Sequence, residues 1–215
     1  MIITHPATLP KKKYDTIILD LGSVLIDVDQ NIVATILGNH IYTLSPETCR
    51  RMFISMPFKR CAAGIITPKK AIDELYAYFP KSQVDIFKTL SFARAFQPLP
   101  EGRELFKQAR SRARRVYILT NITPDQFEYI QETTPFIKEA DGYTTSFGAK
   151  SRKPDPAIYQ TLINHYTITP QTTLFFDDLE NNCKAAATFG IDSVVCDHRQ
   201  DVLSFFAALD VTNVG

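Results

Sequence analysis

No apolar stretch in this chain approaches the roughly 20 residues that a membrane span needs, and its opening, MIITHPATLPKKK, lacks the long apolar segment of a secretory signal. A cytoplasmic protein with no membrane partner is the expectation. Charge imbalance is absent too. Lys and Arg number 24 against 23 Asp and Glu, for a formal net charge of +1, which leaves no global field to attract nucleic acid. The four cysteines, Cys49, Cys61, Cys183 and Cys196, show none of the paired spacings of a disulfide framework or a zinc site. Cys183 falls in a predicted helix and Cys196 in a predicted strand, where a thiol acts as a small apolar side chain, so reduced, non-catalytic cysteines are expected. There is no internal repeat and no low-complexity linker. The 215 residues suffice for one good core, or for a core with a smaller insert.

Two apolar runs end in acid. Thr16-Ile17-Ile18-Leu19 delivers Asp20, and Thr173-Leu174-Phe175-Phe176 delivers Asp177 and Asp178. Continuous apolar runs of this length read as strands buried on both faces, as a parallel sheet covered by helices requires. Ligands of such sheets sit at the carboxyl ends of the strands. If the two strands are neighbours, three carboxylates meet there, and only a cation or retained protons make that tolerable. An all-oxygen set suits Mg²⁺.

The rest of the chain alternates strand and helix, except in one region. After Asp20 come a Gly turn and a short β-like stretch, Leu21 to Asp29, and from about Asn31 to Phe96 the periodicity is helical. Beyond Pro98 the sequence predicts a helix to Arg115, a strand Val116 to Leu119, a helix opening at Thr123-Pro124-Asp125 and a short strand near Tyr143. Then follow a helix from Asp155, the Phe175-Phe176 strand, a helix Asn181 to Phe189, the strand Ser193 to Val195 and a final helix near Val202 to Leu209. The fold class is α/β, a Rossmann-like doubly wound parallel sheet. Its core domain is expected over 14–30 and 97–215, with a helical insert over 31–96.

Four elements fall at strand ends or loops: Asp20, Thr120-Asn121, Lys153 and Asp177-Asp178. Each alone has an ordinary explanation as a cap, a turn residue or a solvated loop. Together they supply what phosphoryl transfer needs: a carboxylate nucleophile, a cation site and donors for phosphate oxygens. Asp20 would attack phosphorus. Asp178, helped by Asp177, by Asp20 itself and by the Gly22 carbonyl, would hold Mg²⁺. Thr120 and the Asn121 N–H would bind the phosphate, Lys153 would face both phosphate and Asp20, and Asn182 would orient the metal ligands from behind.

The ordered set TIILDLGSVLID, YILTN, SRKPDPAIY and FFDDLENNCKAAATFGI resembles the four motifs of the haloacid dehalogenase (HAD) superfamily, and the helical stretch resembles its small cap domain. The resemblance covers nearly all of the chain after residue 13. It implies a Rossmann-like core, an Asp nucleophile, Mg²⁺ and phosphatase activity on a small phosphorylated metabolite. DLGSVLIDVD with FFDDLENN looks most like the branch containing phosphatases of glucose 1-phosphate.

Two positions depart from that pattern. Most phosphatases of the family carry a second Asp two residues after the nucleophile, as general acid and base, where this chain has Gly22. General acid catalysis contributes about 10² to 10⁴ in rate. Three readings stay open: another acid such as Asp27 or Asp29 substitutes, the substrate has a good leaving group, or the protein binds ligand without turnover. Lys150 also stands where a Gly is common, so the turn is expected to have moved toward Gly148. In the helical stretch, Phe58, Lys59, Arg60 and Gly64 fall where the resemblance puts a loop facing the site, with Lys59 or Arg60 available to a second anionic group. The basic run Arg110 to Arg115 closes a helix, where cations are favourable, and none of His5, His40, His165 and His198 falls in a motif. The alternatives are a catalytically impaired binding protein, a 2-haloacid dehalogenase in which Asp20 attacks carbon, and a receiver-type phosphoacceptor, whose acidic pair would come first in the chain. The oligomeric state is not legible.

Overall fold

A computed structural model describes residues 1–10, 12–196 and 203–208. Eight strands are β1 (Ile2–Ile3), β2 (Thr16–Leu19), β3 (Ile26–Val28), β4 (Phe96–Pro98), β5 (Arg115–Thr120), β6 (Gly142–Thr145), β7 (Thr173–Asp177) and β8 (Asp192–Val195). Six of them form a sheet in the order β1-β8-β7-β2-β5-β6, every pair parallel. The chain builds outward from β2 to β5 and β6, then returns to β7 and β8 on its other side. That reversal makes β2 the switch point of the sheet, the place where ligands bind in such folds.

The strand residues alternate between two cores, as a period of two demands. Ile17, Leu19, Val116, Ile118, Leu174 and Phe176 pack on one face. They meet Leu105, Phe106 and Ala109 of helix α6 (Pro100–Arg112) and Ile130 of α7 (Pro124–Thr133). Ile18, Tyr117, Leu119 and Phe175 point the other way, onto Ile158, Tyr159 and Leu162 of α9 (Pro156–Tyr166) and Ala186 of α10 (Glu180–Ala187). A fifth, short helix, α8 (Ser146–Ala149), follows β6 directly.

The α/β alternation expected from the sequence is present. The two-residue strand β1 was not expected: it pairs with β8 and extends the sheet upstream of residue 14. Residues 203–208 are helical; Val202, Leu209 and His198 lie outside the described residues.

Between β3 and β4, which pair antiparallel, the chain makes five helices and no strand: α1 (Gln30–Leu37), α2 (Pro46–Phe53), α3 (Met56–Ala62), α4 (Pro68–Leu75) and α5 (Lys81–Phe87). Local chemistry starts several of them. Asp29 accepts hydrogen bonds from Asn31 and Ile32 N–H to cap α1, and Ser45 and Thr67 cap α2 and α4, each followed by Pro at the first helical position. These helices bury a cluster of their own: Leu37, Met52, Leu75, Val84, Phe87 and Phe92 with their neighbours. Phe53 sits edge-on to Phe58, Phe87 and Phe92 at centroid distances of 4.8, 5.2 and 5.2 Å.

The helical region docks on the core through the end of α3. Ser146 Oγ donates to Ala62 O at 2.6 Å and Lys150 Nζ to Gly64 O at 3.1 Å. Gly64 has φ +61, and a Cβ there would lie 2.7 Å from Phe147 O, so no larger residue fits this approach. Lys150 adopts φ 54. The turn expected to have shifted toward Gly148 therefore stays at residue 150. A lysine tolerates the left-handed conformation there at a cost of roughly 1–2 kcal/mol, with its ammonium hydrogen-bonded to Gly64 O. Among the described residues, no helix is long and apolar enough to cross a membrane.

Candidate active site

The register of the sheet assembles the site. Leu19 lies level with Ile118 and Phe176, so the next residues, Asp20 and Asp177, emerge side by side, with Thr120 alongside at the end of β5. Asp20 N–H donates to Phe176 O at 2.9 Å, and Asp20 Oδ1 accepts from Leu21 N–H at 2.7 Å. Asp20 is 8 % exposed and Asp177 fully buried.

Lys153 comes from the loop before α9, yet it is only 1 % exposed. Its Nζ lies 2.8 Å from Asp20 Oδ1 and 2.6 Å from Asp177 Oδ2. A lysine is buried at this depth only when paired. The loop is held by Asn121, whose side-chain oxygen accepts from Lys153 N–H at 2.8 Å while its amide donates to Lys153 O at 2.9 Å. Asn121 was expected to use its backbone; its side chain has this second task, invisible in sequence because the two residues are 32 positions apart.

Asp177 is engaged on both oxygens. Oδ2 takes Lys153, and Oδ1 accepts from Leu179 N–H at 2.9 Å and Asn182 Nδ2 at 2.8 Å. Asn182 thus orients an acidic residue of the trio from behind, and Tyr159 OH donates to Asn182 O at 2.9 Å to anchor that turn of helix. Asp178 is half-buried, and the nearby Ser23 side chain acts to lower its pKa. Ser23 carries φ 58, a left-handed conformation rare for Ser and characteristic of functional turns. Nothing in the sequence singled it out.

One oxygen each from Asp20, Asp177 and Asp178 lies within 4.8 Å of the others. Electrostatics reflect this crowding. Burial pushes the Asp20 carboxyl up, Lys153 opposes and Asp177 pushes further, to a pKa of about 7. Burial and Asp177 raise Asp178, against Lys153 and Ser23. Burial disfavours the Lys153 ammonium, but Asp177 and Asp20 more than offset it and hold its pKa above the ordinary lysine value. The cluster has one buried cation for three carboxylates, the imbalance that a divalent ion relieves.

Gly22 has room: a Cβ built there meets nothing within 4 Å. The missing acid is therefore not excluded by packing. Of the cations near the helical region, Arg60 is paired with Glu74 at 3.0 Å and so is not a free phosphate ligand. The basic run is likewise occupied, with Arg110 and Arg115 on Asp141 and Arg112 over the ring of Phe206. All four cysteines are free and buried.

A sequence profile of the haloacid dehalogenase-like hydrolases matches residues 14–190. The chain belongs to that family. HAD hydrolases of known structure share its fold. A HAD family enzyme of Bacteroides thetaiotaomicron, in complex with magnesium and inorganic phosphate, is 22 % identical with a TM-score of 0.65, covering 85 % of this chain and 93 % of its own. A dehalogenase with an intermediate complex is 16 % identical with a TM-score of 0.64, covering 86 % and 85 %. Among curated sequences, acyl-CoA dehydrogenase family member 10 of Mus musculus is 26 % identical over 92 % of this chain, and drimenol cyclase drtB of Aspergillus calidoustus is 26 % identical over 86 %. The chain spans only 19 % and 34 % of the lengths of those two proteins.

Proposed function

We propose that this HAD-like hydrolase is a Mg²⁺-dependent phosphatase that acts on a small phosphorylated metabolite through an aspartyl-phosphate on Asp20. The observation that carries this reading is the meeting of Asp20, Asp177 and Asp178 within 4.8 Å beside a buried lysine at the switch point of the sheet. The magnesium and phosphate of the Bacteroides neighbour add support. An all-oxygen donor set of this charge fits Mg²⁺, which Asp20, Asp178 and the Gly22 carbonyl would hold with Asp177 beside them, and which when bound shields the nucleophile from the phosphate charge.

Asp20 attacks phosphorus, and the bond from phosphorus to the ester oxygen breaks. Thr120 and the Asn121 N–H donate to the phosphate oxygens, and Lys153 balances charge against Asp20. The leaving oxygen takes its proton from water, since Gly22 offers none. A second water then cleaves the aspartyl-phosphate, which releases inorganic phosphate and regenerates Asp20. The helical residues 31–96 act as a cap that excludes bulk water from the core, residues 14–30 and 97–215.

Attack of Asp20 on carbon, as in a dehalogenase, needs no divalent ion, so the clustering of three carboxylates favours the phosphatase reading. The test is phosphate release with Mg²⁺ from a panel of acyl, aryl and sugar phosphates. Release is expected from wild type and a loss beyond about 10³-fold from Asp20→Asn, with its melting temperature retained. Release by Asp20→Asn at the wild-type rate would reject the nucleophile, and silence of the wild type on every compound would turn the assignment to a binding protein.

A further inference from the structure

A cavity of about 440 Å³ opens between the helical region and the core. Its wall is carbon-rich: Val28, Val33, Phe53, Phe58, Phe92 and Phe96 all line it. It borders the strand-end site without including the acidic trio: Asn121 and Arg152, the chain neighbours of Thr120 and Lys153, contribute to its lining. A substrate whose phosphorus sits against Asp20 and Thr120 thus has this cavity beside it for the rest of its body.

Two features of the wall bear on what that body is. A sugar needs hydrogen-bond partners for each hydroxyl it buries; of the uncharged polar side chains in the wall, Thr123 and Gln126 are joined in the capping box of α7 and Asn121 holds Lys153, which leaves the exposed Gln30. The charged groups are also unequal. Glu47 and Arg50 line the cavity but satisfy each other, at 2.9 and 3.0 Å. Arg152 does not: its Nε is buried without a hydrogen-bond partner, and neither it nor Lys59, also in the wall, makes an ion pair with any described residue. Burial alone acts on Arg152 and lowers its pKa. Arg152 is half-buried, with its Nε out of contact with solvent and unpartnered; a guanidinium so placed without an anion is partly desolvated, and a ligand anion would offset that cost.

We infer that the phosphatase substrate is amphiphilic, with an apolar body in the aromatic-lined cavity and a second anionic group, a carboxylate or another phosphate, received by Arg152 with Lys59. The inference rests on the phosphatase reading and narrows it from a sugar phosphate to a phosphate ester of a carbon-rich acid.

The experiment compares kcat/KM for acetyl phosphate, glucose 1-phosphate, phenyl phosphate and 3-(4-phosphonooxyphenyl)propanoate, in wild type, Arg152→Gln and Arg152→Lys, with melting temperatures alongside. Phenyl phosphate is expected to exceed glucose 1-phosphate, and the carboxylate compound to exceed phenyl phosphate by about 10-fold, a charge-assisted contact's worth. That last ratio should fall to near one in Arg152→Gln and be partly restored in Arg152→Lys. Glucose 1-phosphate matching the aryl esters, or a carboxylate advantage that survives Arg152→Gln, overturns the inference while Asp20-dependent release leaves the phosphatase reading standing. If acetyl phosphate and all other esters are inert, the phosphatase reading fails. Calorimetry with 3-(4-hydroxyphenyl)propanoate then decides the cavity by itself: binding lost in Arg152→Gln supports it, and no binding to wild type overturns it.

Discussion

The carboxyl edge of the sheet and the helical region that faces it are built on opposite principles. At the edge, Asp20, Asp177 and Lys153 are packed to near-complete burial with Asp178 half-buried beside them, and both oxygens of Asp177 and the Lys153 ammonium have named partners. In the helical region the interior is an apolar, largely aromatic cluster held by ring packing without directional polar contacts, and its charged groups are largely at the surface. Chemistry needs fixed positions to within fractions of an ångström, whereas selection of a substrate body needs a wall of suitable shape and polarity. The first requirement constrains residue identity, and the second constrains only residue class.

The contrast predicts different responses to mutation. The largest effect belongs to Lys153→Met, which leaves Asp20 and Asp177 facing each other. Phosphate release is expected to fall beyond about 10³-fold, with roughly 3–5 kcal/mol of stability lost as an uncompensated buried charge remains. Kinetics and urea denaturation together check this, and a variant that keeps both would erase the distinction between the two regions. Gly22→Asp comes next, in the opposite direction. A Cβ at Gly22 meets nothing within 4 Å, and an acid placed there should speed hydrolysis of substrates with poor leaving groups by about 100-fold, the lower end of the usual range for general acid catalysis. Substrates with good leaving groups should gain little, so the ratio between alkyl and acyl phosphates is the number to measure.

In the helical region, Phe87→Ala should cost about 3 kcal/mol of stability through lost burial and a cavity, with altered KM and a smaller change in kcat. The smallest effect is electrostatic. The Asp20 pKa of about 7 lies above the ordinary carboxylate value near 3.9. The folded state therefore holds a proton that the unfolded state has released, and metal-free stability falls as pH rises from about 4 to about 7 and levels off above that. Mg²⁺ competes with that proton, so its stabilisation should be greater at pH 8 than at pH 5. Thermal melts with and without Mg²⁺ show it, and equal shifts at both values would place the ion elsewhere.

The sheet was legible because TIILD and FFDD are apolar on both faces and end in acid, a pattern that covered parallel strands impose on the chain directly. The meeting of Asp20 and Asp177 was legible for the same reason, since each stands at the carboxyl end of an apolar run. Strand β1 was not, because two residues carry no periodicity and Ile2–Ile3 reads as strand only once β8 is beside it. Ser23 and the side-chain task of Asn121 were hidden because they depend on a backbone angle and on a contact 32 residues away. The pairing of Arg60 and the isolation of Arg152 were hidden likewise: the chain shows which residues are cations and not which have found anions.

Strands β3 and β4 have one more consequence. They lie antiparallel with Ile26 opposite Pro98 and Val28 opposite Phe96, so the helical region leaves and rejoins the sheet domain through two points about 5 Å apart, the spacing of paired strands. Such a junction makes the region a cassette. A helical unit of another length whose ends come together at that distance meets the same stem, so variation in this region is compatible with an unchanged register of the sheet.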